Sequence, residues 1–164
     1  MTLREATNAD TSGILACLSA AFEVYRDSYT PDAFADTVLT PETLQQRLQE
    51  MTIFVVTNTT EEIVGTISCC VVNSEEVHVR GMAVLPTSQG SRIAARLLAH
   101  AEGHSRQRIC KRISLDTTAP LKRAIRFYER SGFSPSGKVR CSQVTLASGP
   151  ANTNSSNGLK SVSK

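Results

Sequence analysis

The sequence predicts an α+β fold in which two helices precede an antiparallel meander and helix-connected strands follow it. Three observations predict it: residues 53–84 hold three Val- and Ile-rich runs separated by short turns, apolar residues recur at helical spacing on either side of that block, and helix caps and stops fall where the period changes. With 164 residues, 40% of them hydrophobic, the chain suits one compact domain whose core needs neither disulfide nor metal.

The elements follow in order. A first strand falls within residues 2–7. Asn8 or Asp10 then caps a helix, because a short side-chain oxygen accepts from the first backbone amides; Ile14, Leu15, Leu18, Ala21, Phe22 and Tyr25 form its apolar face. The turn formers of residues 27–31 end it. Thr40, Pro41 and Glu42 supply a cap, a proline at the first helical position and an acidic first turn for a second helix carrying Leu44 and Leu48. The loop between these helices holds Tyr25, Tyr29 and Phe34.

Strands are predicted at 53–57, 63–72 and 76–84, with turns at 58–62 and 73–75. After Pro86 the helical period returns with Ile93, Ala94, Leu97, Leu98 and Ala101, up to Gly103. A strand at 112–116 leads to Thr117 or Thr118 as cap of a helix with Pro120 near its start, Leu121, Ala124, Ile125 and Tyr128 on one face, and Gly132 as its stop. Residues 139–146 read as a final strand. Residues 147–164, poor in apolar side chains, read as a disordered polar tail behind a domain of residues 1–146.

Composition excludes several classes. No apolar run approaches the ~20 residues of a membrane span, and the first ten residues lack the apolar core of a signal peptide, so a cytoplasmic protein is expected. The five cysteines, Cys17, Cys69, Cys70, Cys110 and Cys141, show no CxxC pair, so no metal site is expected; the first four sit among apolar residues and read as small buried hydrophobes. The net charge of +3 hides a division: residues 1–79 carry 3 basic and 12 acidic side chains, and residues 80–140 carry 13 basic and 3 acidic. Such a division suits a polyanion on the basic part and a cation on the acidic part, or is simply two solvated faces.

The chemistry concentrates where a strand end passes through Leu85, Pro86, Thr87, Ser88, Gln89, Gly90, Ser91 and Arg92 into the helix start Ile93-Ala94. Small residues before a helix N-terminus let the backbone approach an anion and offer it unpaired amides. On the strand 76–84, the period of two places Glu76, His78, Arg80 and Met82 on one face. An imidazole can accept a proton at neutral pH, and Glu76 competes for that role.

These residues carry a resemblance. Met82-Ala83-Val84-Leu85-Pro86 followed by Gln89-Gly90-Ser91-Arg92-Ile93-Ala94 resembles the acetyl-CoA pyrophosphate loop, Q/R-x-x-G-x-G/A, of the GNAT superfamily of acetyl-CoA-dependent N-acetyltransferases. Ala124-Ile125-Arg126-Phe127-Tyr128-Glu129-Arg130-Ser131-Gly132-Phe133, after Leu115-Asp116-Thr117-Thr118, is similar to that family's A-x-x-x-Y-x-x-x-G-F block. The central glycine of the family falls on Arg92, a position read here as an ordinary first-turn residue, and Leu121 stands where many members carry asparagine.

The resemblance implies a three-layer fold with a mostly antiparallel twisted sheet of 6–7 strands, splayed at the cofactor site and flanked by about four helices. It implies acetyl-CoA as cosubstrate and direct transfer of the acetyl group to a primary amine, of a small molecule or a protein, in a ternary complex. Met82, Ala83 and Val84 would hold the pantetheine arm through their backbone; Gln89, Gly90, Ser91, Arg92, Ile93 and Ala94 would hold the pyrophosphate; Phe127 would line the cofactor; and Tyr128 would protonate the departing thiolate. Either His78 or Glu76 would serve as base, and Tyr25, Tyr29 and Phe34 would line the acceptor groove. A monomer or homodimer is expected, with neither membrane nor nucleic acid as partner. Two alternatives stay open: a non-catalytic acyl-CoA-binding regulatory module, and a nucleic-acid-binding domain resting on the basic segment.

Overall fold

The computed structural model describes residues 1–140 and 159–164. Among them are seven strands and five α-helices in the mixed α+β class that the sequence predicts. The chain divides into two compact units, Met1–Ser114 and Leu115–Lys164.

The first unit contains β1 (Thr2–Glu5), α1 (Thr11–Phe22), α2 (Pro31–Thr37), α3 (Pro41–Glu50), β2 (Thr52–Thr57), β3 (Ile63–Asn73), β4 (Glu76–Val84), α4 (Ile93–Gln107) and the start of β5 (Arg112–Thr117). Strands β1 to β4 pair in sequence order, each antiparallel to the next, so the predicted meander is present with an additional edge strand. Val55, Val56, Ile67 and Val77 of the strands are fully buried with Ile14, Leu18, Leu44 and Leu97 of the helices. That exclusion of apolar side chains from water is the main force holding helices to sheet.

Helix α2 lies where the sequence reading placed a loop. Its start repeats the signal used for α3: Thr30 accepts from the Ala33 amide, and Pro31 occupies the first helical position. Residue 10 is the N-cap of α1 as expected, but its carboxylate is drawn off by the Arg4 guanidinium, at 2.7 and 2.8 Å, and by the Thr7 amide. Helix α4 runs past Gly103 to Gln107; a lone glycine weakens a helix by about 1 kcal/mol without ending it. Among the cysteines, Cys17 and Cys69 are buried as expected, whereas Cys70 and Cys110 are half-exposed.

The face of β4 also departs from the strict alternation expected of it. The pairing moves from Thr66↔Ala83 to Ser68↔Arg80, so β4 holds one extra residue, and Gly81 takes a φ of +55° there. The bulge breaks the period of two. His78 and Arg80 keep one face, Ala83 joins it, and Met82 does not share it.

The second unit contains α5 (Lys122–Arg130), β6 (Ser134–Arg140) and β7 (Leu159–Ser163). Leu121, not Thr117 or Thr118, is the N-cap of α5; both threonines are buried. The helix ends as predicted at Gly132, φ +88°, where the Gly132 and Phe133 amides donate to the Glu129 and Tyr128 carbonyls in a Schellman motif. The final strand begins earlier than residue 139, at Ser134, and residues 141–146 and Cys141 lie outside the described residues. Of the expected tail, residues 147–158 also lie outside them, but Leu159–Ser163 is a strand. It pairs antiparallel with β6 and buries Val162, so ladder hydrogen bonds and apolar burial offset the entropy that composition alone set against order.

Candidate active site

The loop between β4 and α4 is built to present backbone amides. Leu85 follows the strand with its amide bonded to the Val64 carbonyl at 2.9 Å, and residues 86–88 form one 3-10 turn. Gly90 follows at φ +88°, then Ser91, whose hydroxyl donates to the Ser88 carbonyl, then Arg92 at φ +64°. Alternation of positive and negative φ turns successive amides toward one side, the geometry of an anion-binding nest. The first-turn amides of Ile93 and Ala94 have no acceptor one turn back in the helix, and the helix dipole adds partial positive charge beside them.

Arg92 is therefore not the ordinary first-turn residue that the sequence reading took it for. It is the N-cap of α4 in the left-handed region, which disfavours every residue with a Cβ and explains why glycine suits the position. Its side chain is exposed, so the cost is conformational and its guanidinium stays on the surface beside the loop.

Two glycines position this loop. A methyl group on Gly65 of β3 would lie 2.7 Å from Ile93 Cγ2 and 3.1 Å from Leu97 Cδ1, so α4 approaches the sheet closely at its N-terminus. On the opposite face, Gly81 in the β4 bulge has Ser68 Oγ, Arg47 Nη1 and Leu18 Cδ2 as neighbours, at 3.6, 3.4 and 3.9 Å from the position of a Cβ. Met82 is half-buried beside this bulge, Ala83 is buried, and Val84 pairs with Gly65.

The two candidate bases lie in one buried cluster. Glu76 Oε1 accepts from Ser114 Oγ of β5 at 2.5 Å, Glu76 Oε2 accepts from the Arg112 guanidinium, and His78 Nδ1 lies 2.9 Å from the same Ser114 Oγ. Glu76, His78 and Ser114 are 6, 4 and 3% exposed, so their polar atoms meet little bulk water and rely on partners within the protein. Sequence reading brought Glu76 and His78 together but missed Arg112 and Ser114, which lie on a strand more than thirty residues away and carry no local motif.

Arg80, next on the same face, is an ion-pair partner of Asp36 in α2, which also faces the buried Arg47 at 3.5 Å. Burial and the nearby Arg80 charge lower the Arg47 pKa from its ordinary value. Tyr25, Tyr29 and Phe34 precede this contact. Tyr25 and Tyr29 are half-buried; Phe34 is buried, with Tyr29 edge-on at 6.2 Å and the Arg26 guanidinium 4.3 Å above its ring. In the second unit Tyr128 is a buried residue of α5 between Phe127 and Phe133, with ring centroids 5.4 and 5.9 Å away. Lys122, Arg123, Arg126 and Arg130 are exposed on the same helix.

The two buried thiols of the first unit are not poised as nucleophiles. Burial pushes the Cys17 and Cys69 thiols up to about 12, so both stay protonated at neutral pH.

A mixed α+β fold with an amide-lined turn between a strand and a helix has the geometry that suits an anionic group at a helix N-terminus. The family model for the acetyltransferase (GNAT) family matches residues 18–133, and the chain belongs to that family of acyltransferases. Similar solved structures include an acetyltransferase of the GNAT family from Staphylococcus aureus, 17% identical, with a TM-score of 0.72 over 99% of this chain and 97% of that one. Another is PaiA N-acetyltransferase from Thermoplasma acidophilum in complex with coenzyme A, 13% identical, with a TM-score of 0.76 and the same coverage. A GNAT family acetyltransferase from Elizabethkingia anophelis with acetyl-CoA bound is 16% identical, with a TM-score of 0.70 over 99% and 95%. No curated protein matches the sequence. Among the described residues no helix is long and apolar enough to cross a membrane.

Proposed function

We propose that this acyltransferase moves the acetyl group of acetyl-CoA to a primary amine by direct attack in a ternary complex. The observation that carries the reading is the amide nest of Gly90, Ser91 and Arg92 at the start of α4. It suits a pyrophosphate, and two proteins of the same fold hold coenzyme A or acetyl-CoA.

An ammonium acceptor has no lone pair until it loses a proton. His78 takes that proton, directly or through water; the amine nitrogen then attacks the thioester carbonyl carbon, the carbon–sulfur bond breaks as the Tyr128 hydroxyl protonates the departing thiolate, and the new amide nitrogen gives up its remaining extra proton, which through water restores the Tyr128 hydroxyl while His78 releases its own to solvent. His78 is preferred to Glu76 because both carboxylate oxygens of Glu76 already accept strong hydrogen bonds, from Ser114 and Arg112. The backbone of Met82, Ala83 and Val84 holds the pantetheine arm, and the amides of residues 89–94 hold the pyrophosphate. The acidic first half of the chain favours a cationic acceptor, bound near Tyr25, Tyr29 and Phe34.

A thiol-release assay with acetyl-CoA and a panel of cationic, neutral and acidic amines tests this. One equivalent of free CoA per acetylated amine is expected, with cationic amines preferred. Saturable acetyl-CoA binding without thiol release on any amine would replace the enzyme by a cofactor-binding regulatory module.

A further inference from the structure

The buried cluster on β4 and β5 contains a residue that neither the sequence motifs nor the reading above uses. Ser114 Oγ stands between Glu76 Oε1, at 2.5 Å, and His78 Nδ1, at 2.9 Å. A serine hydroxyl has one proton and two acceptor sites. Glu76, also bonded by the Arg112 guanidinium, is an anion that only accepts, so the single Ser114 proton points to Glu76. The lone pairs of Oγ then face His78, and the imidazole must donate through Nδ1–H. The neutral ring consequently carries its lone pair on Nε2.

We propose that Ser114 is a positioning residue that fixes His78 in the Nδ1–H tautomer and connects it to the Glu76 carboxylate. The proposal rests on the reading of His78 as base and adds how that base is prepared. When His78 takes the proton from the ammonium at Nε2, positive charge spreads over the ring. The Nδ1–H···Oγ–H···carboxylate chain stabilises that charge without any proton leaving Nδ1, Oγ or Glu76. The hydroxyl is interposed between the carboxylate and Nδ1, and the Arg112 guanidinium shares the same carboxylate, so the ring is oriented through a neutral group.

Ionisable groups beside His78 in the first unit include Glu76 and Arg80 on its own strand, Arg112 on β5 and Cys70 opposite it on β3. Helix α1, packed against β4, contributes the buried Cys17 as its ionisable group, and α4, which also packs against β4, lies on the opposite face of the sheet with Ile93 and Leu97 over Gly65. Arg80 is paired with Asp36, and Arg112 pairs with the same Glu76 carboxylate that accepts from Ser114.

The test uses the full chain and two readouts. In the first, long-range proton–nitrogen NMR of the imidazole assigns the tautomer of His78 without any turnover. The wild type is expected to show Nδ1–H, and Ser114→Ala a mixture of tautomers; Nε2–H in the wild type, or an unchanged spectrum in Ser114→Ala, overturns the proposal. In the second, Ser114→Ala lowers kcat about tenfold with KM for acetyl-CoA unchanged, and moves the acid limb of the pH–kcat profile to lower pH because the imidazolium has lost its acceptor. Ser114→Thr, which keeps the hydroxyl, restores both, and Glu76→Gln, which keeps an acceptor but removes the charge, moves the limb in the same direction. A folded Ser114→Ala protein with the wild-type profile overturns the proposal. Full turnover by His78→Gln would instead sink the reading of His78 as base, while the NMR tautomer still decides the hydrogen-bond chain by itself.

Discussion

Gly65 lies directly beneath Ile93, with room for no further carbon between them: a methyl group on the glycine would come within 2.7 Å of Ile93 Cγ2. The contact joins the third strand to the first residue of α4, so the height of the amide nest above the sheet is set by the absence of one side chain.

Gly65→Ala therefore forces Ile93 and Leu97 outward. Overpacking of this kind costs about 1–3 kcal/mol, and a drop in Tm of roughly 2–4 °C per kcal/mol is expected. Acetyl-CoA affinity should fall as well, because the first-turn amides move. Differential scanning calorimetry and a binding titration check the two effects, and an unchanged Tm would show that α4 does not depend on this contact.

Arg92 at φ +64° separates backbone from charge. Arg92→Gly removes the left-handed penalty and should stabilise the protein by about 1 kcal/mol after the extra chain entropy of glycine is allowed for. Arg92→Ala keeps the Cβ and should give no such gain. Because the nest is made of main-chain amides, acetyl-CoA affinity of Arg92→Gly should stay within about threefold of wild type. Thermal melts of both variants beside a titration of the glycine variant read this out.

Asp10 supplies an acid-sensitive contribution to stability. The two hydrogen bonds from Arg4 hold its carboxyl at about 2, below the 3.8 of an unfolded chain. The folded value is the lower one, so this contribution is complete above pH 3.8 and is lost as the pH falls through about 2. Its size is on the order of 1 kcal/mol, since the Arg4 side chain is partly exposed. Chemical denaturation between pH 2 and 5 should show a smaller stability slope for Asp10→Asn than for wild type.

Tyr128→Phe removes a hydroxyl from a buried ring without changing its packing against Phe127 and Phe133. If the phenol protonates the thiolate, kcat falls about a hundredfold while KM for acetyl-CoA changes little. Steady-state kinetics decide; an equal loss in binding and rate would make the tyrosine a structural part of the cofactor pocket.

The meander was legible because its strands are long and rich in Val and Ile, α3 because cap and period agreed, and α4 and α5 because of their period, with Gly132 marking the end of α5. Helix α2 was equally legible in principle, since Thr30-Pro31-Asp32 repeats Thr40-Pro41-Glu42; the seven-residue helix is too short to show a period, and the cap alone was read as part of a loop. A glycine within a strand signals a bulge, and Gly81 marked the one that turns Met82 off the His78 face. Arg92 and Ser114 could not be read in the same way. The strain at Arg92 is a property of φ, which a side chain of ordinary helix propensity does not advertise. The partners of Ser114 lie across the sheet, where pairing register rather than spacing along the chain brings residues together.

The most direct test of the central claim is a calorimetric titration of acetyl-CoA into the wild type and into Ser91→Glu, which puts a carboxylate at the mouth of the amide nest and leaves the core untouched. Saturable one-to-one binding by the wild type, displaced by coenzyme A, is expected, with at least tenfold weaker binding by a Ser91→Glu protein of unchanged Tm. No binding by the wild type, or equal affinity in the two proteins, would contradict the assignment of the β4–α4 turn as the cofactor site.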